Sequence, residues 1–314
     1  MKDGQFIAVD WGTSSFRAAL VDAAGVILGR IESGDGIMSV EGSAFQATLM
    51  RLLAGWTGGH QKLPIIMSGM IGSRQGWVEA AYLSTPVDLS ALGEALTWVD
   101  GAALGAIALV PGVETRDGAG VPDVMRGEET QILGALATSG AADGLFVLPG
   151  THSKWAWVAS RRLLRFQTFM TGEVFAALRG HTILGRLMGE AADTFDAHGF
   201  RAGVVAGAAD GQPGQLLTRI FAARTFGLRD DWTAARLESY LSGLLIGAEL
   251  AVGRGLAVDV GVITIVANSK LTEVYELAAA SLGIGIRRAG DDLAVAGQLA
   301  LVRQGIFERN GGAL

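Results

Sequence analysis

Asp10 ends a short apolar run and is followed by Trp11, Gly12, Thr13, Ser14 and Ser15: a carboxylate, then a glycine, then consecutive hydroxyls. Phosphate chemistry uses these parts, with backbone N–H groups and hydroxyls on non-bridging oxygens and an aspartate that holds Mg2+ directly or through water. An ordinary hairpin turn uses them too, because Asp, Gly and Ser are favoured there for backbone reasons alone. A second copy, Gly150-Thr151-His152-Ser153, shifts the balance. Two such turns facing each other across a cleft would clamp a polyphosphate. The second turn has Pro149 where the first has Trp11 and lacks a matching acid, so a metal is expected at Asp10. His152 and Lys154 flank the second turn and are suited to meet a developing phosphoryl oxyanion, against the plainer reading of an exposed loop histidine.

Glu128 and Glu129 open a helical pattern directly after Met125-Arg126-Gly127. Glu129 lies three and four residues before Ile132 and Leu133 and so shares their buried face, while Glu128 is turned about 100° away. A carboxylate on the inward side is suited to accept a proton from a substrate hydroxyl. Acidic residues in a first helical turn also simply complement the helix dipole. Arg126 offers a planar fork to a substrate carboxylate, or else an ion pair to Glu128 or Glu129. Asn268, with Ala267 and Ser269, stands where a nucleotide base or ribose can approach backbone, and equally where a helix is simply capped. Ser68, Gly69, Ser73 and Arg74 belong to a small-residue loop suited to line a sugar pocket, with Gly/Ser turn chemistry as the default. Glu173 is a further substrate-side candidate, against a plain helix start at Thr171-Gly172-Glu173.

These residues need elements to hold them. Phe6–Val9, Phe16–Val21 and Val26–Ile31 read as a three-stranded meander. A helical period runs from Ser43 to Trp56, a buried strand over Ile65–Met67, a helix near Leu89–Trp98, a strand at Ala106–Val110 and a helix from about Glu128 to Ala137. A second meander starts at Leu145–Leu148, returns through Trp155–Ala159 and continues over Leu163–Phe169. Its Gly-Thr turn sits where the first meander has its own, which implies two related halves. Helices near Thr171–Leu178, Pro213–Phe226 and Asp231–Val252 follow, then a strand at Val262–Val266 and helices at Ser269–Leu282 and Asp291–Arg303. Strands alternating with helices predict an α/β fold with covered sheet faces. Gly12 leads into a strand rather than a helix, which lowers the dinucleotide-binding reading.

Across its 314 residues the chain is half hydrophobic, with 18% charged residues and a formal charge of −6. That is enough apolar material for two cored domains, and the charge gives no basic stripe for nucleic acid. Cysteine is absent, which excludes thiolate nucleophiles, disulfides and Cys-ligated metals. The four histidines, His60, His152, His181 and His198, have no H-x-x-x-H spacing, so a zincin site is not expected. Met1-Lys2-Asp3-Gly4-Gln5 runs straight into the first strand with no targeting signature. The longest apolar stretch, Leu241–Val252, is interrupted by Ser242, Gly243, Gly247 and Glu249. A cytoplasmic protein without a membrane span is expected.

Taken together, Ile7-Ala8-Val9-Asp10-Trp11-Gly12-Thr13, Ser68-Gly69-Met70-Ile71-Gly72-Ser73, Met125-Arg126-Gly127-Glu128-Glu129-Thr130-Gln131, Leu148-Pro149-Gly150-Thr151-His152-Ser153-Lys154-Trp155, Met170-Thr171-Gly172-Glu173 and the run Leu241–Glu249 resemble the signature set of the 2-dehydro-3-deoxygalactonokinases. The resemblance covers nearly the whole chain. It implies two ribonuclease-H-like domains of the actin-like ATPase (sugar kinase/hexokinase) fold around a central cleft. Residues 1–138, joined by the C-terminal helix 291–314, would form the sugar-acid side, and residues 139–290 the nucleotide side. It implies ATP and Mg2+ as cofactors and a small sugar acid as partner, phosphorylated at its 6-hydroxyl. Asp10 would be the metal-associated aspartate, Gly12, Thr13 and Ser14 the first phosphate loop, Gly150 and Thr151 the second, and Glu129 the base with Glu128 in reserve. The adenosine loop of the wider superfamily usually carries glycines where this chain has Ala267 and Asn268. The epimeric gluconate derivative is an alternative substrate, a phosphoanhydride hydrolase and a nucleotide-switched scaffold are rival activities, and a homodimer is compatible with the family.

Overall fold

Short β-branched and aromatic runs bounded by Gly- and Asp-containing turns pair into antiparallel neighbours in a computed structural model of the chain, which describes residues 6–57, 62–101, 104–189, 194–209, 214–230, 232–256 and 262–309. Met1–Gln5, His60, Pro213 and Asp231, which figure in the sequence reading, lie outside the described residues. The chain divides into two compact units, one of residues 1–143, 157–166 and 290–314, the other of 144–156 and 167–289.

In the first unit, β1 (Phe6–Trp11), β2 (Phe16–Val21) and β3 (Ile27–Ser33) form the expected meander, and α1 (Phe45–Leu52) and α2 (Ala54–Thr57) follow. Then come β4 (Ile65–Ser68), β5 (Tyr82–Ser84), β6 (Val87–Asp88), β7 (Thr97–Asp100), β8 (Ala106–Leu109), β9 (Gly112–Arg116), β10 (Pro122–Met125) and α3 (Glu128–Ser139). The main sheet has the order β3-β2-β1-β4-β8-β7, with β4 parallel to both β1 and β8. Its core gathers Ile7, Val9, Trp11, Phe16, Phe45, Leu49, Ile65, Met67 and Ile107. The expected helix at Leu89–Trp98 is instead a short 3-10 turn at Leu89–Gly93 followed by β7. Thr97, Trp98 and Val99 are β-formers, and an antiparallel partner in β8 gives their backbone its hydrogen bonds. A small sheet, β10-β9-β5, was not foreseen.

The second unit carries β11 (Gly144–Leu148), β12 (Ser153–Ala159), β13 (Arg162–Phe169) and α4 (Thr171–His181). It continues with α5 (Ala197–Ala208), α6 (Gln215–Ile220), α7 (Ala222–Arg229), α8 (Ala234–Leu256), β14 (Val262–Ile265), α9 (Ser269–Ser281) and β15 (Gly285–Arg288). The hairpin end of β12 and β13 counts with the first unit, where β13 meets β6. The strand order is β15-β14-β11-β12-β13, with β14 parallel to β11 and β15. In both sheets the first strand is central, its two meander successors lie on one side and two parallel strands on the other. That is the ribonuclease-H-like arrangement, present twice.

Helix α5 was not expected from the sequence. Gly199, Gly203 and Gly207 weaken it by propensity, yet they form a stripe every fourth residue that lets α8 approach. A Cβ at Gly203 would stand 2.1 Å from Tyr240 O, and one at Gly243 on α8 would stand 2.1 Å from Phe200 O. The helix expected at Pro213–Phe226 is two, α6 and α7, meeting at Phe221.

α10 (Leu293–Val302) and α11 (Ile306–Arg309) return to the first unit. Gly297 rests on α3, where an added Cβ would lie 2.0 Å from Thr130 O. Backbone cannot yield as a flexible side chain can. Gly297→Ala is therefore expected to destabilise the protein by about 1–3 kcal/mol in chemical denaturation, with the largest change in hydrogen exchange along α3 and α10.

Candidate active site

In the first unit, the chemistry-bearing residues sit where β1, β4 and the start of α3 converge. The β1–β2 turn is closed by Gly12 N donating to Ser15 O at 2.9 Å, and is backed by Ile37 N and Met38 N, which donate to Gly12 O and Thr13 O. Thr13 and Ser14 are left exposed on its outer side. Asp10 keeps 20% of its side-chain surface and lies 3.6 Å from Arg17. Burial pushes its carboxyl up, and Arg17 opposes the shift.

Gly69 and Gly127 join this turn to α3. Both have positive φ, +91° and +108°, which side-chain-bearing residues rarely adopt. A Cβ on Gly69 would stand 2.9 Å from Trp11 O and 3.0 Å from Asp10 Oδ1, and one on Gly127 would stand 3.2 Å from Gly69 Cα. Beneath them, Gln298 of α10 donates through Nε2 to Val9 O at 2.7 Å and to Ser68 Oγ at 2.9 Å. Ser68 thus fastens strand ends together from a fully buried position. Gln298, which nothing in the sequence singled out, ties the ends of β1 and β4 to α10.

Glu129 is fully buried on the face it shares with Ile132, Leu133 and Leu136, as the spacing predicts. Its Oε2 accepts from Gly127 N at 2.7 Å and its Oε1 from Thr130 Oγ1 at 2.9 Å. Glu128 is only partly buried and accepts from Arg126 N at 3.0 Å. Both acids therefore also serve the amides that precede the helix. Burial, reinforced by the neighbouring charge of Glu128, pushes the Glu129 carboxyl up to about 7. A group of that pKa can take a proton near neutrality and give it up again.

The same shift bears on stability. A carboxyl whose pKa rises from 4.5 to about 7 on folding holds its proton more tightly in the folded state. Its stabilising contribution is complete below about pH 4.5 and is lost as the pH rises through about 7. At about 1.36 kcal/mol per unit, that amounts to about 3 kcal/mol. Glu129→Gln should therefore melt higher than wild type at pH 8, with the advantage gone by pH 4, as read by thermal unfolding across that range.

Arg126 is buried, its Nη2 donating to Ala80 O at 2.7 Å and its guanidinium lying 4.2 Å over the Tyr82 ring. Its Nε and Nη1 have no hydrogen-bond partner, and neither has the buried hydroxyl of Ser73. Gly72 leaves room beside Nη1, where a Cβ would come within 3.1 Å. Arg74 is not gathered in: its side chain is 89% exposed, 3.8 Å from Glu79.

In the second unit, Gly150, Thr151 and His152 form an exposed turn between β11 and β12. His152 Nε2 meets Glu173 Oε2 at 2.5 Å, so Glu173, at the start of α4, is drawn to this turn. Lys154 is buried on β12 and donates to Thr168 Oγ1 at 2.6 Å. Asn268 caps α9, its Oδ1 accepting from Leu271 N at 2.9 Å. It also lines a cavity of about 530 Å³ beside Pro149, Gly150, Thr171, Phe175 and Tyr275.

A doubled ribonuclease-H-like unit with a Gly-Thr turn after each central strand is the architecture of the actin-like ATPase fold to which sugar kinases belong. Residues 10–301 match the family model described as 2-keto-3-deoxy-galactonokinase. A probable 2-dehydro-3-deoxygalactonokinase of Rhizobium meliloti is 37% identical over 97% of this chain and 98% of its own. The 2-dehydro-3-deoxygalactonokinase of Escherichia coli is 35% identical over 92% of this chain and 94% of its own. A Sinorhizobium meliloti protein whose crystal structure carries the 2-dehydro-3-deoxygalactonokinase name superposes with a TM-score of 0.87 at 38% identity, over 95% of this chain and 98% of that one. The chain belongs to the 2-keto-3-deoxy-galactonokinase family.

Proposed function

We propose that the protein transfers the γ-phosphoryl group of ATP to the 6-hydroxyl of 2-dehydro-3-deoxy-D-galactonate, releasing ADP. Family membership supports the reaction. The observation that carries the residue assignment is that the same short segment supplies a buried Glu129, near pKa 7, and a buried Arg126 whose Nε and Nη1 have no partner. A sugar acid presents the complements of both: a carboxylate for the guanidinium fork and a primary hydroxyl to be deprotonated.

In this mechanism Arg126 holds the carboxylate and Ser73 adds a hydroxyl to the same pocket. Glu129 accepts the 6-hydroxyl proton as the oxygen forms its bond to the γ-phosphorus and the bond to the ADP oxygen breaks, in line. The exposed turns at Gly12–Ser14 and Gly150–Thr151 bind phosphate oxygens through backbone N–H and hydroxyl groups, with His152 beside the second. Lys154 adds positive charge from its strand, and Asn268 borders the nucleoside.

Among the described residues no three acidic or histidine side chains cluster as a metal cage. A partly exposed lone carboxylate, Asp10, suits Mg2+, which is commonly held by one or two carboxylates and the substrate phosphates. When bound there, Mg2+ would neutralise phosphate charge. No helix among the described residues is long and apolar enough to cross a membrane, and we place the reaction in the cytoplasm, where ATP is supplied.

Coupled ADP release tests the proposal, with the galactonate and gluconate forms of the 2-dehydro-3-deoxy acid compared with and without magnesium. Turnover with the galactonate acid is the expected result. ATP hydrolysis indifferent to any sugar acid would refute it.

A further inference from the structure

Glu249 has no part in the mechanism above, yet it is a 2% exposed carboxylate on α8 on which four donors converge. Its Oε1 accepts from Ser153 Oγ at 2.6 Å and Trp155 Nε1 at 2.9 Å. Its Oε2 accepts from Thr171 Oγ1 at 2.5 Å and Tyr275 OH at 2.8 Å. All of these residues belong to the second unit.

The donors come from separate elements. Ser153 and Trp155 begin β12 directly after the Gly150–His152 turn, Thr171 opens α4, and Tyr275 lies on α9 beyond its Asn268 cap. Thr171 and Tyr275 line the 530 Å³ cavity, as does Gly150 of the turn. The start of α4 is itself pressed onto the turn. Glu173 N donates to Thr151 O at 2.9 Å, and a Cβ on Gly172 would stand 2.4 Å from Gly150 O. The turn, the start of α4 and the wall on α9 therefore move only if the carboxylate gives up its donors. α8 is in turn held against α5 by facing glycines, which makes it a rigid base for the carboxylate.

We infer that Glu249 is the positioning residue of the nucleotide half-site: it fixes the Gly150–Ser153 turn relative to the cavity wall at Thr171 and Tyr275, and so sets ATP affinity without touching the reacting atoms. This rests on the kinase reading above. Preorganised donors cost no ordering when the ligand arrives, whereas loosened ones do. The expected signature is thus confined to ATP.

The test measures ATP binding by calorimetry and both KM values on the full chain. Glu249→Ala should raise the ATP KM and Kd on the order of tenfold, the effect of losing roughly one charge-assisted hydrogen bond's worth of ordering, with the sugar-acid KM unmoved. Glu249→Gln should recover most of the loss. Its Oε1 can still accept from Trp155 and Ser153, while its amide donates to the Thr171 and Tyr275 hydroxyls, which can turn to accept. Tyr275→Phe, which removes one donor and leaves the carboxylate buried and bonded, should raise the ATP KM alone and keeps the question answerable if Glu249→Ala does not fold. An unchanged ATP Kd in a folded Glu249→Ala or in Tyr275→Phe, or an equal rise in both KM values, overturns the inference. A wild type that binds ATP in a Glu249-dependent way but turns over no sugar acid would refute the kinase reading and leave the positioning role standing.

Discussion

Glu129→Gln is expected to bind ATP almost normally and to lose about 10² to 10⁴ in turnover, the usual worth of a positioned general base. The amide keeps the volume and both hydrogen bonds, since it can accept from Gly127 N and donate to Thr130 Oγ1, but it cannot take a proton. Glu128→Gln should retain most of the activity, because Glu128 is partly exposed and acts on Glu129 only through its charge. Removing that charge lowers the pKa of Glu129, so the acid limb of the wild-type kcat profile, expected near pH 7, should move down in Glu128→Gln and vanish in Glu129→Gln. Below that limb the rate should fall about tenfold per pH unit as Glu129 holds its proton. Full turnover in Glu129→Gln together with loss in Glu128→Gln would exchange their roles.

Arg126→Met is expected to raise the sugar-acid KM by about 10² or more while leaving the ATP KM unchanged. Hydrogen bonds to charged groups contribute about 1.5–3 kcal/mol each, and two unpartnered nitrogens, Nε and Nη1, are available to one carboxylate. Lysine should be a poor substitute, because an ammonium cannot form the parallel pair that the planar fork makes. The folded protein should tolerate the change. A buried guanidinium with a single hydrogen bond and a ring beneath it is costly before ligand arrives, and methionine fills much of the same space. A substrate analogue lacking the carboxylate should bind wild type and Arg126→Met alike, a comparison that separates carboxylate recognition from general damage to the pocket.

Local chemistry was legible wherever one element decided it. The spacing of Glu129 from Ile132 and Leu133 placed it on the buried face of α3 because a helix repeats every 3.6 residues whatever surrounds it. The two meanders and their turns were visible for the same reason, as alternation and turn residues act over a few positions. Arg126 shows where that reach ends. Ion pair and ligand fork were equally compatible with the sequence, and only the packing of Ala80 and Tyr82 around the guanidinium left two of its nitrogens without a partner.

Glu249 entered the sequence reading as an interruption in an apolar run. One charge in such a helix signals a buried acceptor whose partners must exist somewhere, but those partners lie 26 to 96 residues away. The glycines of α5 misled in the opposite direction: their propensity argues against a helix, and the close approach of α8 reverses the balance. Leu89–Gly93 and β7 differed from expectation because a strand's hydrogen bonds belong to its neighbour, here β8.

By itself, then, the sequence determined the two meanders, the repeated Gly-Thr turns and the inward placement of Glu129, all of which depend on neighbours a few residues apart. Tertiary structure alone decided which polar groups are satisfied and which, like Arg126 Nε and Nη1, are left without a partner. Burial and hydrogen-bond partnership are properties of surfaces brought together from distant parts of the chain, as Gln298 on Val9 and Ser68 makes plain.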